Sequence, residues 1–167
     1  TFCTKLGGFV ALENYQDFVC VNGHAYMDTK SANTNFAFLS KVVLTDPVED
    51  NQAYGESLGR LATIIGGGKP ILQRFGDLKR GRRSTWRRVK NSYIEPTLKN
   101  VTCGDIAMAL PDRILTNLVD GLSQLNQIVP GVSNDETLLY APEIKFFATQ
   151  VETDNNLQTK IGRLYVA

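Results

Sequence analysis

The sequence predicts an α+β domain in which a mixed or antiparallel sheet packs with two main helices. Two observations support this: short apolar runs occur in clusters along the chain, and two longer segments with helical spacing interrupt those clusters. The regular alternation of strand and helix that a parallel α/β sheet requires is not seen. With 167 residues and 43% hydrophobic content, the chain is long enough for one sizeable core, so we predict a single domain over 1–167.

The first predicted elements are strands. Apolar runs at Phe9 to Leu12 and Phe18 to Val21 are joined by a short polar linker, as in an antiparallel pair. Residues 33–44 alternate imperfectly between large apolar side chains and smaller or polar ones. This pattern favours one long strand over a helix.

Two helices are predicted from apolar residues that recur every three or four positions. The first extends from Asp50 to Ile65 and ends at the three consecutive glycines 66–68. The second extends from Pro111 to Ile128, since proline suits a first helical turn and Pro130-Gly131 stops the pattern. We expect the broad apolar face of this second helix to lie in the core.

The remaining apolar runs are shorter. A new element begins at Ile71-Leu72, and further runs occupy 138–140, 144–148 and 161–167. The last of these reads as a strand with no partner after it, and the chain begins without an initiator methionine. We therefore expect an internal segment of a longer protein.

Several common kinds of site are not indicated. Cys3, Cys20 and Cys103 are widely separated and show no C-x-x-C spacing, so we predict free packing thiols in a cytoplasmic protein. The single histidine provides no metal-ligand cluster, and no metal is predicted. The glycines 66–68 lack the spacing and the Ser or Thr of a phosphate loop, and no G-x-G-x-x-G segment follows a strand. No apolar run is long enough to span a membrane.

A strongly basic segment lies between Lys69 and Lys90. It holds nine basic residues and one acid, Asp77, a balance of +8, which leaves −7 for the remainder of a chain whose net charge is +1. Three interpretations stay open: a solvated face that is partly paired with acids elsewhere, an anion site, or a nucleic-acid surface. Arginine suits an anion site because its planar fork binds carboxylate or phosphate in a bidentate way. A nucleic-acid surface is the least favoured interpretation, because Trp86 and Phe75 are the only aromatic residues in this basic segment.

Polar and glycine-containing clusters supply the remaining candidate site residues. We predict that Arg74, Arg82 and Arg83 grip a carboxylate or phosphate group, because they belong to the basic segment. His24, Tyr140 and Lys145 are predicted proton donors or orienting groups, because they lie in clusters typical of loops and strand ends.

Eight short segments follow one another in a fixed order along essentially the whole chain: Phe2-Cys3, Gly7-Gly8-Phe9-Val10, Val21-Asn22-Gly23-His24, Asn33-Thr34-Asn35-Phe36-Ala37, Gly66-Gly67-Gly68-Lys69-Pro70, Gly81-Arg82-Arg83-Ser84-Thr85, Tyr140-Ala141-Pro142-Glu143-Ile144-Lys145-Phe146 and Leu164-Tyr165-Val166-Ala167. In this order they resemble a family of FAD-dependent dehydrogenases from bacteria and archaea. One departure is that Thr4-Lys5-Leu6 stands where family members often have a second cysteine and a proline, which leaves Cys3 without a redox partner.

The resemblance implies a substrate or cap domain inserted in a flavoprotein. In such a protein FAD would be bound mostly by residues outside this chain, and segments 1–12 and 161–167 would lead into the FAD-binding domain. That domain and a small anionic substrate are the implied partners. The isolated segment is expected to be inactive. Two rival hypotheses remain: a basic module that binds RNA or another polyanion without catalysis, and a packing or dimerisation surface.

Overall fold

A computed structural model describes residues 1–45, 47, 50–146 and 151–166 of the chain. The strands are β1 (Phe2–Lys5), β2 (Phe9–Asn14), β3 (Val19–His24), β4 (Asn35–Ala37), β5 (Ile71–Arg74), β6 (Thr102–Cys103) and β7 (Leu138–Ala141). The α-helices are α1 (Asn51–Ile65), α2 (Phe75–Lys79), α3 (Trp86–Lys90) and α4 (Asp112–Leu125), and a 3₁₀ turn covers Ile106–Met108. The predicted α+β class is confirmed.

Strands β2 and β3 form the predicted antiparallel hairpin. Leu12 lies opposite Val21, and the turn is closed by a hydrogen bond of 2.9 Å from Tyr15 N to Phe18 O. The rings of Tyr15 and Phe18 stack with centroids 4.6 Å apart. Cys20 and Val21 are consecutive and both buried, so β3 is covered on both faces at this point.

Helix α1 follows the prediction closely. The Asp50 carboxylate caps it by accepting a hydrogen bond from Ala53 N at 2.8 Å. It ends where Gly67 and Gly68 adopt positive φ angles of 61° and 84°. On its inner side Gly59 packs against Phe18 so closely that a Cβ there would lie 2.5 Å from the ring.

Strand β5 is the centre of a three-stranded mixed sheet in the order β6-β5-β7. It runs parallel to β6 and antiparallel to β7. Successive strand residues face opposite sides of a sheet. Accordingly, Ile71 packs with Ala62 and Ile106 in one buried cluster, and Leu72 packs with Val89 in another. The two clusters place the core on both faces of β5.

Helix α4 differs from its prediction in two ways. It ends at Leu125, and Asn126 to Ile128 form turns in which Ile128 is 81% exposed. Its apolar face was expected in a close-packed core, but only Leu122 is buried. Ile114, Leu115, Leu118 and Leu122 instead line a large cavity.

Three predicted strands are shorter than expected or missing from the described chain. Within 33–44 only Asn35–Ala37 pairs as a strand, and its partner β1 has just four residues. Residues 144–146 form no strand, and 147–148 lie outside the described residues. Residues 161–166 form turns with one bridge from Gln158 to Tyr165, and 167 lies outside the described residues. An apolar run becomes a strand only where a partner is available.

Candidate functional site

A cavity of about 1180 Å³ lies between the hairpin, the segment after β4, helices α1 and α4, and the end of β7. Its walls are largely aliphatic and aromatic, including Phe36, Phe38, Tyr54 and Leu118. Polar side chains line the hairpin side and residues 140–145, and others line the segment 33–41 and the start of α1. We call the side formed by the hairpin and residues 140–145 the polar end of the cavity.

Three charged groups meet at the polar end. Lys145 Nζ lies 3.4 Å from Glu143 Oε1 and 3.8 Å from Glu13 Oε2. Burial tends to lower the pKa of Lys145, but the two carboxylates outweigh burial and raise it. Burial raises the pKa of Glu143 against the effect of Lys145. The lysine is thus held as a cation between two acids, at distances that mark loose ion pairs.

Two residues that line the cavity also hold polar atoms that are closed to solvent and have no hydrogen-bond partner among the described residues. These atoms are the Tyr140 hydroxyl and both the oxygen and the nitrogen of the Asn35 amide. Burial raises the pKa of Tyr140 to about 12. Groups of Thr97 and Leu98 lie beside the hydroxyl and oppose that shift, but they do not meet it in hydrogen-bonding geometry. Buried polar groups without partners are uncommon and costly in folded proteins.

A separate cluster forms around Asp77, which is completely buried. Its carboxylate accepts hydrogen bonds from Ser84 Oγ at 2.7 Å, Arg82 Nε at 2.8 Å and Arg88 Nε at 3.0 Å. Burial alone would raise the pKa of Asp77, but these hydrogen bonds outweigh burial and hold the pKa below its usual value. Arg74 lies 3.7 Å from the same carboxylate and also forms an ion pair with Glu136. We call these residues the Asp77 cluster: Arg74, Asp77, Arg82, Ser84, Arg88 and Glu136.

Gln73, also fully buried, fixes two loops to the end of β5. Its Nε2 donates to Arg82 O at 2.9 Å and to Asp105 Oδ1 at 3.1 Å, and its Oε1 accepts from Ile106 N at 2.8 Å. The loop after α2, which holds Arg82, and the loop after β6, which holds Asp105, therefore meet at the carboxyl end of the parallel pair β5 and β6. Arg83, next to Arg82, is exposed.

Comparison with protein families decides the identity of this domain. The model of the family described as FAD-dependent protein, C-terminal domain-like, matches residues 1–145. The chain belongs to this family. No curated protein matches the sequence. The resemblance to an FAD-dependent protein family is thereby confirmed, and the parent of this FAD-dependent protein domain has an FAD-binding domain as its partner.

The glycine-rich segment 66–68 of the FAD-dependent protein domain does not fit the pyrophosphate of FAD. The glycines 66–68, which come nearest to a phosphate loop in sequence, follow the C-terminal end of α1. Helix carbonyls point outward at that end, and its partial negative charge disfavours a phosphate. We derive no step of flavin chemistry from this chain.

The six predicted site residues fall into three places. Tyr140 and Lys145 line the cavity. Arg74 and Arg82 are engaged in the Asp77 cluster, with Arg83 exposed beside them. His24 is exposed at the end of β3, where its ring packs edge-on against Tyr26 with centroids 4.5 Å apart. The structure brings Tyr140 and Lys145 to one cavity and leaves His24 and the arginines off its wall.

Sequence reasoning did not identify Asp77 as a site residue. It placed Gln73, Glu143 and Asn35 in polar clusters that could line a cleft, but it assigned them no role. Asp77 offered one signal, since it is the single acid among nine basic residues. Gln73 and Asn35 offered little, because an amide reveals its partners only after folding. Pairing with acids, one of the three interpretations of the basic segment, accounts for Arg74, Lys79, Arg80, Arg82 and Arg88.

Two kinds of feature are absent from the described ranges. None of the helices there is both long and apolar enough to cross a membrane. Within the same part of the chain, no three His, Cys, Asp or Glu side chains are grouped so that they could hold a metal ion. Cys20 and Cys103 are buried free thiols, as predicted, whereas Cys3 is exposed.

Proposed function

We propose that this domain forms the substrate side of the cleft in an FAD-dependent oxidoreductase. FAD held by the partner domain would supply hydride transfer. This domain would bind the substrate, orient it and exclude water. The observation that supports the proposal is the cavity of about 1180 Å³, with its apolar walls and polar end.

The cavity has the character of a small-molecule site. Ligand pockets are typically roughly 300–1,000 Å³, mostly apolar, with a few polar groups that set orientation. Here the aliphatic face of α4 would contact the body of the substrate, and Tyr140 and Lys145 would orient its polar part. Because burial raises the pKa of Tyr140 to about 12, its hydroxyl stays protonated and acts as a donor rather than as a base at neutral pH.

The anionic substrate remains a prediction. Of the three predicted arginines, Arg83 is the exposed one without an ion pair among the described residues, but it lies off the cavity wall, so it would contact a part of the substrate that extends out of the cavity. Arg74 and Arg82 would have to leave Asp77 or Glu136 to hold an external anion. We expect Arg83→Ala to raise KM for an anionic substrate about ten-fold in the full-length enzyme, as for loss of one charge-assisted contact. Arg87→Ala, another exposed arginine, is the matched control.

We also propose the domain arrangement that the sequence suggested. The chain would be one inserted domain, with 1–12 and 161–167 leading into the FAD-binding domain. The family match ends at residue 145, so the last part of the chain lies outside it. A cytoplasmic location is proposed from the free thiols, since disulfides are rare in that compartment.

The test uses the full-length protein under anaerobic conditions. Its bound flavin is monitored by visible absorbance while small carboxylates, phosphates and amides are screened for flavin reduction. The compound that reduces the flavin is then tested with Leu118→Trp, which would fill the cavity, and with Leu61→Trp, an exposed position on α1 as control. We expect Leu118→Trp to retain its flavin and lose reduction by at least ten-fold. Reduction at the wild-type rate in that variant would refute the proposed role of the cavity.

A second candidate function rests on a different surface. Arg83, Arg87 and Lys90 are exposed around Trp86, which is 38% exposed, and make no ion pairs with the described residues. An exposed aromatic ring on which bases can stack, with cationic side chains around it, suits a polyanion such as single-stranded RNA. This function predicts binding to unrelated polyanions that weakens steeply with salt, because counterions are released. Salt-insensitive or absent binding would eliminate it.

A further inference from the structure

We propose that the cavity binds a substrate that carries an extended aliphatic chain. This inference rests on the proposed function, in which the cavity holds the substrate, and it names the chemical class of that substrate. It is carried by the accessible aliphatic row on α4, by a segment of chain that follows this row, and by the size and charge of the cavity.

The wall formed by α4 is a row of aliphatic side chains on one face of the helix. Ile114, Leu118 and Leu122 recur every four residues and line the cavity. Ile114 and Leu118 are only half-buried, so they keep accessible apolar surface on that face. From Ile114 to Leu122 the row extends about 12 Å along the helix axis. It is therefore a long apolar surface that is open to a ligand.

Residues 38–44, which we call the strap, run beside this row without regular secondary structure and line the same cavity. Two contacts join the strap to α4. A Cβ on Gly121 would lie 2.8 Å from the Phe38 ring, and Asn117 Nδ2 donates a hydrogen bond of 3.1 Å to Ser40 Oγ. Gly121 and Asn117 are about 6 Å apart along the helix, close to the span from Phe38 to Ser40 in an extended chain. The strap and α4 therefore extend side by side as two elongated walls.

The size of the cavity also favours a substrate with a large apolar part. Helix α1 adds Tyr54 and Leu58, one turn apart, to the walls, and the volume of about 1180 Å³ is at the upper end of ligand pockets, which span roughly 300–1,000 Å³. A small acid or phosphate would leave most of these walls in contact with water. An aliphatic chain would cover them along their length, and the favourable free energy of transfer grows with the apolar area covered.

Charge inside the cavity disfavours a substrate that buries an anionic group there. Lys145 is paired with Glu143 and Glu13, at 3.4 Å and 3.8 Å. A carboxylate or phosphate would lose its hydration and meet two carboxylates beside one ammonium group, whereas an aliphatic chain incurs neither cost. We therefore expect the chain along α4, and an anionic head group outside the cavity wall, where Arg83 is exposed.

The test measures how affinity depends on chain length in the flavin-loaded full-length protein. Butanol, hexanol, octanol and decanol form a series of neutral probes, and adamantanol holds as many carbons as decanol in a compact cage. Isothermal titration calorimetry gives the dissociation constants for wild type, Leu118→Trp and Leu61→Trp. Leu61→Trp is the control, because Leu61 is exposed on α1 and is not part of the cavity wall. Ile114→Trp blocks the same row one turn from Leu118, and flavin absorbance and thermal unfolding verify that each variant is folded.

In wild type we expect the affinity to rise about four-fold for each added methylene, because each methylene leaves water for an apolar wall. Decanol should bind more tightly than adamantanol. Leu118→Trp and Ile114→Trp should weaken decanol about ten-fold and butanol much less, since a blocked row shortens the chain that fits. Leu61→Trp should follow wild type.

Four results would overturn the inference: affinity that does not rise with chain length, tighter binding of adamantanol than of decanol, equal loss of decanol binding in Leu118→Trp and Leu61→Trp, or no binding of any alkanol. The last would mean that the FAD-binding domain of the parent covers these walls. The proposed function fails on a different result, reduction of flavin at the wild-type rate in Leu118→Trp. The two failures are therefore distinguishable.

Discussion

Arg82 Nε donates a hydrogen bond of 2.8 Å to Asp77 Oδ1, joining a half-exposed arginine to a completely buried carboxylate. The basic segment is therefore built around an anion that the chain supplies itself. Ser84 and Arg88 complete the shell of donors to Asp77. Pairing of this kind resolves much of the self-repulsion that the local charge of the segment would otherwise cause.

Asp77→Asn should destabilise the domain by about 2–3 kcal/mol. Removing one partner of a buried ion pair leaves the other charges uncompensated and costs about 3–5 kcal/mol, and the 49% exposure of the Arg82 side chain reduces that value through solvent screening. Urea denaturation followed by the fluorescence of Trp86, the only tryptophan, measures the change. Asp120→Asn, at an exposed position on α4, is the control and should be nearly neutral.

Stability should fall in acid because two aspartates have lowered pKa values. Asp135, paired with Lys79 and Arg80, has a pKa of about 2, and the pKa of Asp77 is also lowered. An aspartate whose pKa is lower in the folded than in the unfolded chain stabilises the fold at pH values above its unfolded pKa, near 3.9. That stabilisation is lost as the pH falls through the folded pKa. Unfolding midpoints should decline from about pH 4 downward, and Asp77→Asn should flatten the curve. A midpoint that stays constant between pH 5 and pH 2 would contradict this prediction.

The three thiols should differ in reactivity. Burial raises the pKa of Cys20 to about 11 and also raises the pKa of Cys103, so few thiolates form at either residue near pH 8. Cys3 is exposed. An aromatic disulfide reagent should modify one thiol rapidly in the folded chain and three after unfolding. Cys3→Ser should abolish the rapid reaction, and rapid modification that survives this substitution would show that a buried thiol is accessible.

Gly59→Ala should destabilise the contact between α1 and the hairpin by about 1–3 kcal/mol, the usual cost of overpacking. The added Cβ would lie 2.5 Å from the Phe18 ring, although alanine favours a helix more than glycine does. Thermal unfolding measures the balance of the two effects. Gly162→Ala, where a Cβ meets open space, is the control. An unchanged melting temperature in Gly59→Ala would mean that Phe18 moves aside without cost.

Local patterns predicted the elements whose signals lie within the element itself. Helix α1 was predictable because Asp50 caps it and glycines end it, and the hairpin because two apolar runs flank a short polar turn. The strand expected over 33–44 was mostly wrong, since alternation shows that a segment is half-buried but not that a partner strand exists. The same limit applies to 161–166.

The candidate site was less predictable than the fold. Tyr140 and Lys145 were identified from a polar cluster at a strand end, and they do share a cavity. The partners of Arg74 and Arg82 were not predicted individually, because Glu136 is 62 residues from Arg74 and only folding brings them together. The unpaired amide of Asn35 depends on packing against Gly23 and has no trace in the local pattern.

The sequence alone determined the α+β class, the family and the positions of the two long helices, because periodicity, caps and ordered motifs are local properties of a chain. The tertiary structure decided how the basic segment is neutralised and that the apolar face of α4 lines a cavity instead of filling a core. Both outcomes depend on which distant surfaces meet. Contacts between residues far apart in the chain are set by the packing of the whole domain, and no local pattern encodes them.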